Sequence, residues 1–301
     1  MAVRFFRRSP EITPGKGKPH QYINEQLTAL YAPCCIGDSS LTIKNLLSDD
    51  EIEAMLEKVI RKVWRQKGMP DTLSDELVKY FADELWAAVV EGYGNDLTTV
   101  DFDTPDETML LKLQENVWQF AAAKNYQQLR ALSDALVDAD GKVRSFSDFK
   151  KEAFKINEDH STRFLQAEYN MAIGSGQFAS KWVAIQADKE LFPYLEFNAI
   201  IDGHTTEICR NFNGVIRPVD DMFWDQYYPP NHWGERSDVD QVSEGPVTDL
   251  SNIIYPDKIP PMFKTNLAKS GLVFPNGHPY YDGLPDDVKK KADKLRSKYG
   301  Q

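Results

Sequence analysis

Apolar residues at helical spacing dominate the chain as far as residue 187. Ser48-Asp49-Asp50-Glu51 is a capping box: Ser48 can accept from the backbone three residues on, and Glu51 can reach back. Ile52, Met55, Leu56, Val59, Ile60, Val63 and Trp64 follow at three-to-four spacing, the stripe of an amphipathic helix that Gly68 and Pro70 stop. A second helix is predicted over 75–91, with Leu77, Phe81, Leu85 and Val89 on its apolar face and Gly92 ending it. A third opens at Thr104-Pro105-Asp106-Glu107, with Thr104 as cap and Pro105 at the first helical position. Its stripe is Leu110, Leu113, Val117 and Phe120. A shorter helix over 126–137 precedes a turn at Asp140-Gly141. The longest pattern covers 147–187 through Phe149, Ala153, Ile156, His160, Phe164, Ala167, Met171, Phe178, Trp182 and Ile185. Gly174 and Gly176 interrupt it, so a break or kink is predicted there. His160 lies on the apolar stripe and reads as a core histidine.

Beyond Pro193 the period changes to that of strands. "LEFNAII" alternates, "GVIRPV" is a second short strand, and the two are expected to pair antiparallel. An aromatic, loop-rich stretch follows, and a basic helix over 286–298 closes the pattern. The expected fold class is α+β: a mainly helical N-terminal part and a small antiparallel hairpin in a loop-rich C-terminal domain. The expected division is a basic arm over 1–20, a helical region over 21–140 and a C-terminal domain over 141–301.

Composition narrows the function. The 301 residues carry a net charge of −11, which repels nucleic acid as a whole and leaves any DNA contact to a local basic segment. The arm is such a segment: Arg4, Arg7, Arg8, Lys16 and Lys18 stand against Glu11. It reads either as a solvated tail or as a contact for DNA or an acidic partner. No apolar run approaches the ~18 residues of a membrane span, and the N-terminal residues lack the apolar core of a signal peptide. Cys34, Cys35 and Cys209 offer no disulfide framework, and a reducing cytoplasm fits them.

The densest chemistry lies in "FWDQYYPPNHWGER", from Phe223 to Arg236. His204, Cys209 and His232, with Glu235 nearby, are the soft ligands of the C-terminal part, but the close Cys or His pairs of structural zinc are missing. No stoichiometric metal and no cofactor are therefore expected. A Cys209–His204 or Cys209–His232 nucleophile pair lacks any surrounding signature, Asp220-Asp221 reads as a turn, and the "GSG" at Gly174 does not follow a strand, as a phosphate loop would. No catalytic residue is expected. Trp224, Tyr227, Tyr228, Pro229, Pro230, His232, Trp233 and Arg236 read as an aromatic clasp: first a satellite core under a long loop, second a docking surface.

Four segments resemble the Mu F-like, or SPP1 minor-head-protein-like, phage head morphogenesis family. They are "STRFLQAEYNMAIGSGQFASKW", "DGHTTEICRNFNGVIRPVDDMFW", "YYPPNHWGER" and "FKTNLAKSGLVFPNGHPYY". Family members often end the clasp in Cys-Arg-Cys, where this chain has Glu235, Arg236 and Ser237, and many place two Cys where Cys209 stands alone. Zinc is accordingly not carried over by the resemblance. The resemblance implies a non-enzymatic minor head protein of a tailed phage or prophage. Its implied partners are the portal and other head proteins, with a weak DNA contact through the arm and no membrane. Its implied places are the host cytoplasm during assembly and then the head interior near the portal. The alternative it leaves open is a toxin-associated or otherwise enzymatic protein that carries such a domain.

Overall fold

The computed structural model describes residues 19–31, 43–44, 46–255 and 259–300. The arm residues Arg4, Arg7, Arg8, Lys16 and Lys18, and the cysteines Cys34 and Cys35, lie outside them. Helices α1 (Pro19–Leu30), α2 (Asp49–Gln66), α3 (Asp75–Tyr93), α4 (Pro105–Asp134), α5 (Phe146–Glu158) and α6 (Phe164–Asp188) come first. A π-helical turn, Asp159–Arg163, joins α5 to α6. Strands β1 (Tyr194–Asn198), β2 (Ile216–Pro218) and β3 (Asp238–Val242) follow, interleaved with short helices α7 (Glu207–Phe212) and α8 (Met222–Tyr227). Helices α9 (Leu267–Ser270) and α10 (Asp286–Tyr299) complete the order. The protein is α+β, a helical N-terminal part with a small antiparallel sheet after it.

Local signals build these elements as the pattern predicts. Ser48 Oγ accepts from Glu51 N while Glu51 Oε2 accepts from Ser48 N at 2.9 Å. Thr104 caps α4 by accepting from Glu107 N at 3.2 Å. The sheet order is β2-β1-β3, both pairings antiparallel, with Leu195 opposite Arg217 on one side and Gln241 on the other. The β1–β2 pair is the expected hairpin. Strand β3 escaped sequence reading because its acidic, short alternation resembles a loop.

Three expectations need correction. Helix α1 was missed: it begins at Pro19, inside the span assigned to the arm. The helix expected over 126–137 is the second half of α4, which runs unbroken for 30 residues. The polar run Lys124, Asn125, Gln127 and Gln128 looks like a boundary, but all four side chains are buried and bonded within the core. The long helix is interrupted at the π turn, not at Gly174 and Gly176, which sit inside a continuous α6.

Those glycines have another use. Helices α3 and α6 pack against each other along most of their length. A Cβ on Gly176 would lie 2.4 Å from the Val89 carbonyl oxygen, and one on Gly92 would lie 2.0 Å from that of Ile173. Gly92 therefore lets the two backbones touch, and α3 ends two residues later at Gly94, with φ +85°. A Cβ on Gly174 would meet nothing within 4 Å outside its own helix backbone.

The segment after α8 returns to the helical part. Phe274 stacks on Phe120 of α4 with ring centroids 3.7 Å apart. Asn116 of α4 accepts from the backbone N–H groups of Val273 and Phe274 at 2.9 and 2.8 Å, and Gln127 donates to the carbonyls of Tyr280 and Asp282 at 3.1 and 2.8 Å. Helix α10 packs on α4 beside them.

Candidate functional site

Asp221 opens α8 by accepting from Phe223 N at 2.8 Å, which places Phe223 and Trp224 on the inner side. Trp224 is 1% exposed, and its Nε1 donates to the Arg217 carbonyl at 3.4 Å. Tyr228 is fully buried, its ring edge-on to Trp182 at 4.9 Å and its hydroxyl on the Phe178 carbonyl at 3.3 Å. It is closed to any partner, and burial pushes its hydroxyl well above the ordinary tyrosine range. Tyr227 is half-buried against Phe212 and Tyr255. Pro229 and Pro230 are joined by a cis peptide and are both buried. After them Asn231 donates its amide to the Tyr227 carbonyl at 3.1 Å and its backbone N–H to Glu235 Oε2.

The turn that follows gathers three donor groups. His232 Nδ1 lies 3.0 Å from the Trp233 carbonyl oxygen, which can only accept, so Nδ1 carries the hydrogen and, in the neutral ring, Nε2 presents its lone pair. Facing Nε2 are Cys209 Sγ and Thr206 Oγ1, each at 3.1 Å. Thr206 is the cap of α7 and accepts from Cys209 N at 3.3 Å, which fixes where the thiol stands. Glu235 Oε1 approaches the same sulfur at 3.6 Å. The donor atoms of Cys209, His232 and Glu235 all lie within 4.8 Å of one another. A cavity of about 10 Å³ borders Cys209 and His232, with His204, Gly234, Arg236 and Ser237 among its walls. Arg236 donates both guanidinium branches to Asp202 at 2.8 and 2.7 Å. That fork, helped by the His204 backbone N–H, holds the Asp202 carboxyl well below the usual carboxylate range.

Cys209, His232 and Glu235 together suit a divalent cation of zinc's type: one soft sulfur, one neutral imidazole nitrogen and one carboxylate oxygen. His204 lines the cavity but is not one of the three.

Trp233 connects this cluster to a second one. Its ring meets Tyr31 edge-on at 4.8 Å and packs near Phe274 and His278. Behind it Lys124 Nζ and Glu168 Oε2 form an ion pair at 2.5 Å with neither side chain exposed. Tyr31 donates to Glu168 Oε1 at 3.1 Å and contacts His278 Nε2 at 2.8 Å. Since His278 Nδ1 accepts from Tyr280 N at 3.2 Å, its Nε2 holds the hydrogen and the chain runs His278 to Tyr31 to Glu168. Burial, then the Lys124 charge, pushes both His278 and His160 well below the ordinary histidine range. Burial raises the Glu168 carboxyl and lowers the Lys124 ammonium, and each partner opposes the shift of the other. His160 is buried as expected, with Nδ1 3.4 Å from the Tyr280 hydroxyl.

This second cluster was not foreseen, although the spacing held a signal. Lys124 stands four residues after Phe120, and Glu168 four after Phe164, so both charges fall on apolar helix faces. A roomier cleft of about 760 Å³ lies away from both clusters, between α2, α5 and the π turn. No helix among the described residues is long and apolar enough to cross a membrane.

Residues 130–239 match the family described as Phage Mu protein F like protein. This stretch is Mu F-like. It is also 27% identical over 115 residues to the "Putative capsid assembly protein F" of Escherichia phage Mu, a match covering 38% of this chain and 24% of that relative. The chain thus aligns with about a quarter of the relative's length. No solved structure matches. The Mu F-like stretch contains Cys209, His232, Glu235 and Glu168. Lys124, Tyr31, His278 and Tyr280, which complete the second cluster, lie outside it.

Proposed function

We propose that this chain is a minor head protein of a tailed phage or prophage, acting without catalysis in head assembly and in genome packaging or delivery. The observation that carries the reading is the Mu F-like match over residues 130–239, the stretch that builds the clasp and the site beneath it. Kinship with a protein named for capsid assembly supports a role among head proteins. The portal is the proposed partner, met in the host cytoplasm during assembly, and the proposed destination is the head interior. Arg4, Arg7, Arg8, Lys16 and Lys18 supply a basic arm for weak contact with packaged DNA in an otherwise acidic chain. The test is deletion of the gene from its phage or prophage, with co-purification of the tagged protein and the portal. Defective or empty heads and a portal-bound protein are expected. Normal heads with normal DNA content in the deletion would overturn the reading.

A further inference from the structure

We propose that Cys209, His232 and Glu235 bind one divalent cation of the zinc class, with a fourth coordination position open to the small cavity beside them. The donors come from two pieces of chain: Cys209 from α7, His232 and Glu235 from the turn after the Pro229-Pro230 bond. A tetrahedral ion with bonds of about 2.3 Å to sulfur and about 2.0–2.2 Å to nitrogen and oxygen holds its ligand atoms roughly 3.3–3.7 Å apart. The sulfur stands 3.1 Å from Nε2 and 3.6 Å from Oε1, and all three donor atoms lie within 4.8 Å of one another, so the carboxylate and imidazole close in around an ion by side-chain adjustment.

Each ligand is oriented from behind. The Trp233 carbonyl fixes the His232 tautomer with Nε2 directed at the sulfur, and the Asn231 N–H takes Glu235 Oε2, leaving Oε1 to the site. Ser237 adds an independent sign. Its hydroxyl is buried, has no hydrogen-bond partner among the described residues, and belongs to the wall of the same cavity. The cavity is about the size that a single water needs. A bound water could satisfy Ser237 while filling the fourth position. The charges also close: the ion displaces the thiol proton to solvent, and one thiolate with one carboxylate balances the two positive charges. Arg236, the cation nearest in the cavity wall, faces the Asp202 carboxylate, which offsets it. Reading along the sequence missed the site because it sought ligand pairs close in the chain. Here the third donor arrives from 23 residues upstream of His232.

The test uses the full chain with Cys34→Ser and Cys35→Ser, so that Cys209 is its one thiol. It is stripped of metal and titrated with cobalt(II) chloride, then with zinc sulfate. A thiolate-to-cobalt absorption band that saturates at one ion per chain, is displaced by zinc, and accompanies release of one proton is expected. Zinc should also raise the melting temperature. Glu235→Gln keeps the side-chain shape and should weaken binding at least tenfold, whereas His204→Gln should leave stoichiometry and affinity unchanged. Circular dichroism of each variant confirms folding, and the parent titration decides by itself if a variant fails that check. Absence of the band in the folded parent would overturn the proposal, as would unchanged affinity in folded Glu235→Gln.

Discussion

Trp233 touches two histidines, and the protein uses the two differently. Its ring packs near His278, which sits without exposure inside a chain of hydrogen bonds ending on Glu168. Its carbonyl holds His232, whose other nitrogen faces a thiol at the edge of a cavity. Both imidazoles are set to one tautomer by a backbone group, yet opposite nitrogens carry the hydrogen. In the first cluster the remaining nitrogen donates inward, and the network locks together α4, α6, the residue after α1 and the C-terminal segment. In the second, the remaining nitrogen presents a lone pair toward other donors. The lesson is that partner geometry, more than residue type or burial, separates a structural histidine from a candidate ligand.

The largest effect should come from breaking the dry cluster. Lys124→Met leaves Glu168 buried and unpaired, and a loss of about 3–5 kcal/mol is expected in urea unfolding. Adding Glu168→Leu should recover most of that loss, so the two changes should be strongly non-additive. Equal and additive losses would show that the pair is not coupled as its 2.5 Å contact implies.

Truncating the clasp tests the neighbouring side. Trp224→Ala and Trp233→Ala should each cost ~3–5 kcal/mol as large buried rings are removed, read as a lowered melting temperature. On the proposed portal role, Tyr227, half-buried, should affect portal capture more than stability. If Trp233→Ala melts like the parent, its ring does not bridge the clusters.

Acid should separate the two histidine types. His278 and His160 are held neutral in the folded state and take up protons near pH 6.5 once unfolded. The unfolded chain then binds more protons, so their contribution is present above pH 6.5 and is lost as pH falls below it. Each pKa unit of depression is worth about 1.4 kcal/mol. A melting midpoint that falls between pH 7.5 and 5.5, with a shallower fall in His278→Gln, is expected. A flat profile across that window would show these histidines to be solvated.

The smallest changes concern the two glycines of α6. Gly176→Ala forces a methyl against the Val89 carbonyl and should cost about 1–3 kcal/mol through overpacking. Gly174→Ala meets nothing and should stabilise by roughly 0.5–1 kcal/mol. Identical effects at the two positions would contradict the close α3–α6 approach.

These glycines also show where sequence reading stops. Period and caps located α2, α3 and the start of α4 well, because Ser48, Thr104 and the apolar stripes act locally. A glycine that breaks a helix and one that admits another helix look alike until the neighbour is known. The polar run near Lys124 misled for the same reason: its partners, Asn157, Glu168 and the Tyr280 and Asp282 carbonyls, are remote in sequence. In the clasp, aromatic content alone indicated a packed cluster around Trp224 and Trp233. What it could not indicate was that Thr206, through its cap on α7, would deliver Cys209 to His232.

The amides of α4 that hold the C-terminal segment impose an order on biosynthesis. Gln127 finds its carbonyl partners 153 and 155 residues later, and Asn116 waits equally long for Val273 and Phe274. At ribosomal speeds of about 5–20 residues per second, that wait is on the order of 10–30 s. Throughout it the face of α4 carrying Asn116 and Phe120 lacks the cover that Val273 and Phe274 supply. That part of the core therefore closes only after residues 273–282 have left the exit tunnel.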